Sequence, residues 1–279
     1  MLGVCGTSQR PKHCKRRSLQ GIYFGSMWKY HRRLFGHLEG DRFPLLTKIL
    51  DANQDLSVQV HPDDDYANIH EAGELGKTEC WYIIDCEDGA EIIYGHNAES
   101  RIEFEEMIQD GKWNDLLCHV PIKPGDFFYV PSGTIHAIGK GTLILETQQN
   151  SDTTYRVYDY ERRDRDGNLR DLHVDASIAV AAIPSVIQEI KPIVKIKDGM
   201  KITTFVESNY FTVSKWELDG EVNMNQPFSF ILLSVIAGEG ILKKDRISYS
   251  FKKGDHILLP FEFREYKLSG KAEFISSHL

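Results

Sequence analysis

What the chain lacks narrows it first. Its five cysteines (Cys5, Cys14, Cys80, Cys86 and Cys118) are odd in number and contain no CxxC pair. Neither a disulfide framework nor a Cys-rich zinc ribbon is therefore expected. Uncharged apolar stretches are no longer than about Ile231–Ala237. That is far short of the roughly 20 residues that cross a bilayer, so no transmembrane helix and no membrane partner are expected. The opening residues are basic but no apolar stretch follows them, so no secretory signal is read and the cytoplasm is the expected compartment. Aromatic residues are not scarce: at 11% of 279 residues they exceed what a disordered chain carries.

Acids are missing from the first 38 residues, which hold Arg10, Lys12, Lys15, Arg16, Arg17, Lys29, Arg32 and Arg33. The rest of the chain keeps 25 of the 33 basic residues against all 41 acidic ones, within a net charge of −8. An acidic body argues against nucleic acid as a partner. Residues 1–38 read as an atypical basic N-terminal segment, and residues 1–27 show no sustained period of 2 or 3.6.

From Phe43 onward the signal is of short strands divided by turn residues. Leu56–His61 alternates, Glu79–Ile84 and Glu91–Tyr94 flank Glu87-Asp88-Gly89, and Asp126–Val130 follows Lys123-Pro124-Gly125. Thr142–Thr147 and Thr154–Tyr160 continue the series. Many short strands at even spacing point to a mainly β sandwich or barrel. Helical patches are few: Ser100–Gln109, Asp175–Ala182, and Trp28–Leu34. A composition shift between about Pro184 and Met200 marks a junction, giving a body at 39–190 and a second β unit at 191–279.

A weak internal repeat crosses that junction. Lys123-Pro124-Gly125-Asp126-Phe127-Phe128-Tyr129-Val130-Pro131 resembles Lys252-Lys253-Gly254-Asp255-His256-Ile257-Leu258-Leu259-Pro260. Gly-Asp makes a turn and the apolar run a buried strand. After the shared proline only the first copy reaches a histidine, His136, so only that copy is equipped for chemistry. The second half is expected to be a β barrel without a metal.

Alternation places Leu56, Val58 and Val60 on one strand face and Ser57, Gln59 and His61 on the other. Three polar residues on one face line either solvent or a polar cavity. Lys77 and Glu79 share a parity further on, and His136 follows a Pro-Ser-Gly turn. Two imidazoles and a carboxylate suit a borderline metal such as zinc and leave a position open for substrate. Gln59 offers a fourth, neutral oxygen. Glu146 and Gln148 share a face on an otherwise apolar strand. Arg156 shares parity with Tyr158 and Tyr160, which fits either stacking among aromatics or recognition of an oxyanion or phosphate.

Four stretches carry a resemblance. They are Gln59-Val60-His61-Pro62-Asp63-Asp64, Gly73-Glu74-Leu75-Gly76-Lys77-Thr78-Glu79-Cys80-Trp81-Tyr82, Pro131-Ser132-Gly133-Thr134-Ile135-His136-Ala137 and Gln148–Asp159. In this order they resemble the class I mannose-6-phosphate isomerases, in the short Bacillus-type form, from about Trp28 to the C-terminus. Residues 1–27 do not match the family's opening strands. The resemblance implies a cupin-type jelly roll with a duplicated, metal-free second half, and one zinc per chain held by His61, Glu79 and His136. Gln59 matches a position that is a ligand in some members. Arg156 matches the active-site arginine, Ser57 and Lys77 match residues near the substrate, and Glu146 matches a carboxylate of the same cavity.

The implied reaction interconverts mannose 6-phosphate and fructose 6-phosphate through an enediolate, catalysed by a zinc-dependent aldose–ketose isomerase acting as monomer or homodimer. Glu146 and Lys77 are both candidates for the base. Two other readings stand beside it: a non-catalytic sugar-phosphate-binding cupin with a defective N-terminus, and a metal-dependent oxygenase using the same two histidines and carboxylate.

Overall fold

The computed structural model describes residues 23–279. The chain clusters into two compact units, Lys48–Glu189 and the residues up to Thr47 together with Ile190–Leu279.

The Lys48–Glu189 unit is a β sandwich. Its strands are β1 (Leu45–Ala52, of which Lys48 onward belongs to this unit), β2 (Val58–Val60), β3 (Glu79–Cys86), β4 (Glu91–His96), β5 (Leu117–Pro121), β6 (Phe127–Val130), β7 (His136–Ile138), β8 (Thr142–Gln149) and β9 (Tyr155–Tyr158). One sheet runs β1-β8-β3-β6 and the other β5-β4-β7-β2-β9. Their inner faces meet in a cluster of Ala52, Trp81, Ile83, Ile92, Tyr94, Val130, Ile138 and Ile144. Alternation sends the opposite residues of the second sheet outward. Val58, Val60, Ile93, Ala137 and Val157 are buried there against Phe104, Ile108 and Leu116 of short helices. That sheet thus has two covered faces, and of its inner polar residues Ser57, His61 and His136 are buried while Gln59 and Arg156 are half-buried.

Those helices span Arg101–Gln109, Trp113–Leu116 and Val174–Val180, with another at Asp64–His70. Two start on side-chain caps that satisfy otherwise unpaired amides: Asp63 accepts from Tyr66 N at 2.8 Å and Ser100 from Glu103 N at 3.2 Å.

The other unit is a long-stranded sheet. Its strands are β10 (Ile193–Lys197), β11 (Met200–Glu207), β12 (Thr212–Gln226), β13 (Phe230–Lys244), β14 (Ile247–Lys252), β15 (His256–Pro260) and β16 (Arg264–His278). They run β10-β11-β12-β16-β13-β14, with β15 also on β13. The sheet encloses a core that includes Trp216, Leu233, Leu259, Leu268 and Phe274. Phe24, Trp28, Phe35 and Phe43 pack edge to face, and Phe43 lies 4.7 Å from Phe230.

One local expectation changes. Trp28–Leu34 is not one helix: an α-helix covers Phe24–Tyr30, His31 breaks it, and a 3₁₀ turn covers Arg32–Phe35. Much of residues 1–27 lies outside the described residues, but Tyr23–Met27 does not, and Met27 is fully buried. Leu45–Ala52 is a strand that periodicity missed, because its outer face carries Ile49.

Candidate metal centre

The four recognisable stretches come together because their backbones are tied to one another. Gly76 packs so closely on Asp63 that a Cβ there would meet the Asp63 carbonyl carbon at 2.4 Å. Lys77 N donates to Pro62 O at 3.0 Å and Gly133 N to His61 O at 2.8 Å. Gln149 accepts from Thr78 N at 2.8 Å and donates to Asp64 at 3.0 Å, while Ser151 Oγ donates to Leu75 O at 2.7 Å.

This stitching brings His61, Glu79 and His136 together. One ligand atom of each lies within 4.8 Å of the others, and all three side chains are buried. His61 Nε2 is 3.4 Å from Glu79 Oε2, and His136 Nε2 is 3.4 Å from Glu79 Oε1. Among the described residues this is the group of His, Cys, Asp and Glu side chains so arranged.

The donor chemistry fits a divalent metal. His61 Nδ1 donates to Thr153 O at 2.9 Å and His136 Nδ1 to Thr134 O at 2.8 Å. A carbonyl oxygen only accepts, so both neutral rings carry their lone pair on Nε2, beside Glu79, where the Lys77 ammonium meets that of His61 and the Gln59 amide that of His136. The two Nδ1 bonds are the outer hydrogen bonding that orients metal-ligating imidazoles. Burial, with the Lys77 ammonium next in weight, lowers His61 to about 3, and burial also lowers His136. Burial alone would raise Glu79, but Lys77 and then the imidazoles hold its carboxyl well below the usual range. Three lone-pair donors facing one another favour a cation among them.

The remaining sequence candidates fall around this point unequally. Lys77 Nζ lies 3.0 Å from His61 Nε2 and 3.1 Å from Glu79 Oε2. Burial opposes its charge, yet Glu79 and Glu146 raise its pKa. Gln59 sits between His136 and Arg156 in the sheet register, but its amide nitrogen, not its oxygen, faces His136 Nε2 at 3.2 Å. Glu146 is buried and in register with Trp81, while Gln148 is in register with Glu79. Trp81 Nε1 donates to Glu79 Oε1 at 2.9 Å. Burial, then Glu79, push the Glu146 carboxyl upward against Lys77 and Lys48. Ser57 is buried beside β2.

Arg156 corrects one reading. A register shift between Val58 and Gln59 places Arg156 opposite Gln59 and Tyr158 opposite Val58. Arg156 therefore does not share a face with Tyr158 and Tyr160, which pack on the helix side, where Trp113 stacks on Tyr158 at 4.3 Å. Arg156 Nη1 donates to Asp171 O at 2.8 Å.

Sequence reasoning missed Lys48, whose Nζ is 2.6 Å from Glu146 Oε1. The available signal was parity: Lys48, Leu50 and Ala52 alternate with Ile49 and Asp51. It also missed Thr134 and Thr153, which act through main-chain carbonyls that any residue carries.

Comparison with known proteins agrees with this geometry. Residues 4–84 match the catalytic domain of type I phosphomannose isomerase, and residues 201–279 match the cupin domain of mannose-6-phosphate isomerase. The first match begins at residue 4, inside the basic segment, and so corrects the reading that residues 1–27 match nothing of the family's opening. The chain is 59% identical to mannose-6-phosphate isomerase ManA of Bacillus subtilis over 260 residues, 93% of this chain and 82% of the relative. It is 51% identical to mannose-6-phosphate isomerase of Streptococcus mutans, over 93% of this chain and 81% of the relative. A crystal structure of the mannose 6-phosphate isomerase from Bacillus subtilis superposes with a TM-score of 0.96 at 48% identity, covering 100% of this chain and 88% of that one. A zinc-bound mannose 6-phosphate isomerase structure shares the fold at a TM-score of 0.74 and 16% identity, covering 92% of this chain and 85% of that one.

Proposed function

The chain belongs to the type I mannose-6-phosphate isomerases, and from that premise we propose that it interconverts mannose 6-phosphate and fructose 6-phosphate at the His61–Glu79–His136 cavity. The observation that carries this reading is the convergence of two Nε2 lone pairs and a carboxylate within 4.8 Å. The chemistry is assigned to the Lys48–Glu189 unit.

His61, Glu79 and His136 would hold one zinc, with Gln59 as a further ligand if its amide turns over. Bound there, zinc supplies positive charge that lowers the cost of negative charge on the sugar's O1 and O2. The chain's own groups do the rest. The reaction moves a proton between C2 and C1 of the open-chain sugar. Glu146 is the base: its carboxylate takes the C2 proton as the C–H electron pair becomes a C1–C2 double bond and the C1 carbonyl π pair moves onto O1, which gains a proton; the C2 hydroxyl then gives up its proton as the C2 carbonyl forms, and the double-bond pair takes the proton back from Glu146 at C1. Lys77 serves as cation and proton donor to oxygen, since its pairing with Glu79 at 3.1 Å favours the ammonium form. Arg156 and Ser57 meet the charged and hydroxyl parts of the substrate, the guanidinium through its rigid fork. Trp81, donating to Glu79, fixes the carboxylate rather than the sugar. Among the described residues no helix is long and apolar enough to cross a membrane; a cytoplasmic location and a monomeric or homodimeric enzyme are part of the same proposal.

The direct test is isomerase turnover of metal-replete protein on mannose 6-phosphate. Turnover that is lost in Glu146→Gln with zinc retained supports the assignment. Binding of the sugar phosphate without turnover in the unaltered protein would replace it with a non-catalytic role.

A further inference from the structure

Gly95, Gly133 and the segment that follows the helix Val174–Val180 meet beside the turn that leads to His136. A Cβ at Gly95 would come within 2.6 Å of Ser185 Oγ, and one at Gly133 within 3.0 Å of Val180 O, so the segment lies hard against both backbones. Three hydrogen bonds fix it there. Arg101 Nη1 donates to Ile178 O, Ala182 N donates to Gly133 O at 2.9 Å, and His96 Nε2 meets Ala182 O at 3.0 Å. A carbonyl oxygen only accepts, so His96 carries its proton on Nε2. Its Nδ1 is buried without a partner, and the ring packs on Phe104 at 4.6 Å. Burying a ring nitrogen unpaired destabilises the fold, and the hydrogen bond that this ring makes in return is the one to Ala182.

What the segment holds is the turn from Pro131 to Thr134. Gly133 is its pivot: its N–H donates to His61 O at 2.8 Å, while its carbonyl accepts from Ala182. The next carbonyl, Thr134 O, accepts from His136 Nδ1 at 2.8 Å, and Gly95 N donates to Ile135 O at 2.8 Å. One turn therefore ties down the main chain of His61 and orients the imidazole of His136. A shift of that turn moves both at once. Partners that orient metal ligands typically contribute about 10- to 100-fold in metal affinity. We propose that residues 181–185 clamp the turn supporting both histidines, and that His96 is a positioning residue whose N–H closes the clamp and slows loss of the metal. His96 acts through Ala182 and Gly133, not on the sugar. The inference rests on the reading of His61, Glu79 and His136 as the metal centre, and not on which group is the base.

The test is release of zinc from the holoenzyme into excess chelator. His96→Phe keeps a ring on Phe104 and removes the N–H. It should lose zinc about 10-fold faster than the wild type. In cobalt-substituted protein its visible bands should shift, because His136 is no longer held at one angle. KM for mannose 6-phosphate should stay within about twofold, as for a residue that makes no contact with substrate. His96→Gln, whose amide offers an N–H to Ala182 O, should recover most of the retention and the wild-type spectrum. Phe104→Leu loosens the same packing but leaves the hydrogen bond, so at an equal loss of thermal stability it should release zinc at nearly the wild-type rate. Wild-type release and spectrum in His96→Phe would overturn the proposal, as would equally fast release from Phe104→Leu or from His96→Gln. If His96→Phe does not fold, His96→Leu carries the same comparison. Zinc held as tightly by His136→Ala as by the wild type would instead remove the reading of the metal centre, a result distinct from these.

Discussion

The sheet that carries Glu79 and the sheet of the C-terminal unit share one local plan. In the first, Lys123 N donates to the Asp126 carboxylate at 3.0 Å, Gly125 N to Ile83 O and Ile83 N to Asp126 O, each at 2.9 Å. In the second, Lys252 N donates to the Asp255 carboxylate, Gly254 N to Val235 O and Val235 N to Asp255 O, again each at 2.9 Å. Register irregularities fall at matching places, between Ile83 and Asp85 against β8 and between Val235 and Ala237 against β16. Carrying this register along the strands puts Ile231, opposite Leu259, where Glu79 stands opposite Val130. It puts Leu233 and Ser276 where Trp81 and Glu146 stand. The turn and the bulge set the fold, while three or four inward positions set the chemistry. Where those positions are Ile and Leu, the interior closes into an apolar core. Where they are Glu and Trp among histidines, a buried polar cluster remains.

Exchanging those inward residues is the strongest way to break the comparison. Glu79→Ile should abolish zinc binding and lower turnover by about 10³-fold or more, because the charge that stabilises the reacting oxygens is lost. Metal analysis and isomerase assays read this. The reverse change, Ile231→Glu, should destabilise the C-terminal unit by about 3–5 kcal/mol, since an unpaired carboxylate is buried. It should bring no metal, and denaturant unfolding with metal analysis measures both.

Acid should separate the two units next. In metal-free protein, folded His61 stays neutral down to about 3, whereas an unfolded histidine takes its proton near 6.5. The unfolded chain therefore binds more protons between those values, and the stability from His61 is full above about 6.5 and lost as pH falls. His136 and His96, also lowered by burial, add to this. In the other unit His278 shifts the same way but is only half-buried. Hydrogen exchange across this pH range should show Lys48–Glu189 loosening first; loosening first in the C-terminal unit would contradict the assignment.

The smallest effect should be the same in both copies. Gly125 and Gly254 sit at φ of 93° and 88°, with open space where a Cβ would go. Replacing either by Ala should cost about 1–2 kcal/mol, from backbone strain alone. Thermal unfolding should show matched losses, and activity per folded molecule should not change.

Much of this was legible in the chain because turns and alternation are local. Gly-Asp before an apolar run, Ser100 before a helical patch, and the inward parity of Gln59 all follow from a few neighbouring residues. The convergence of His61, Glu79 and His136 is long-range, and the motif resemblance, rather than spacing, pointed to it. Two things were out of reach. The offset at Val58–Gln59 moves Tyr158 away from Arg156, and nothing in a two-residue period announces such an offset. The Lys48–Glu146 pair depends on β1 and β8 being neighbours, which the order of strands along the chain does not state.

The central claim is that one metal site, in the Lys48–Glu189 unit alone, governs isomerisation. It is tested most directly by stripping the protein with a chelator and restoring zinc stepwise while following mannose 6-phosphate turnover and bound metal together. Turnover should rise in proportion to zinc and level off at one equivalent per chain, and His136→Ala should stay flat throughout. Full turnover in the stripped protein, or recovery of activity by His136→Ala at one equivalent, would contradict the account.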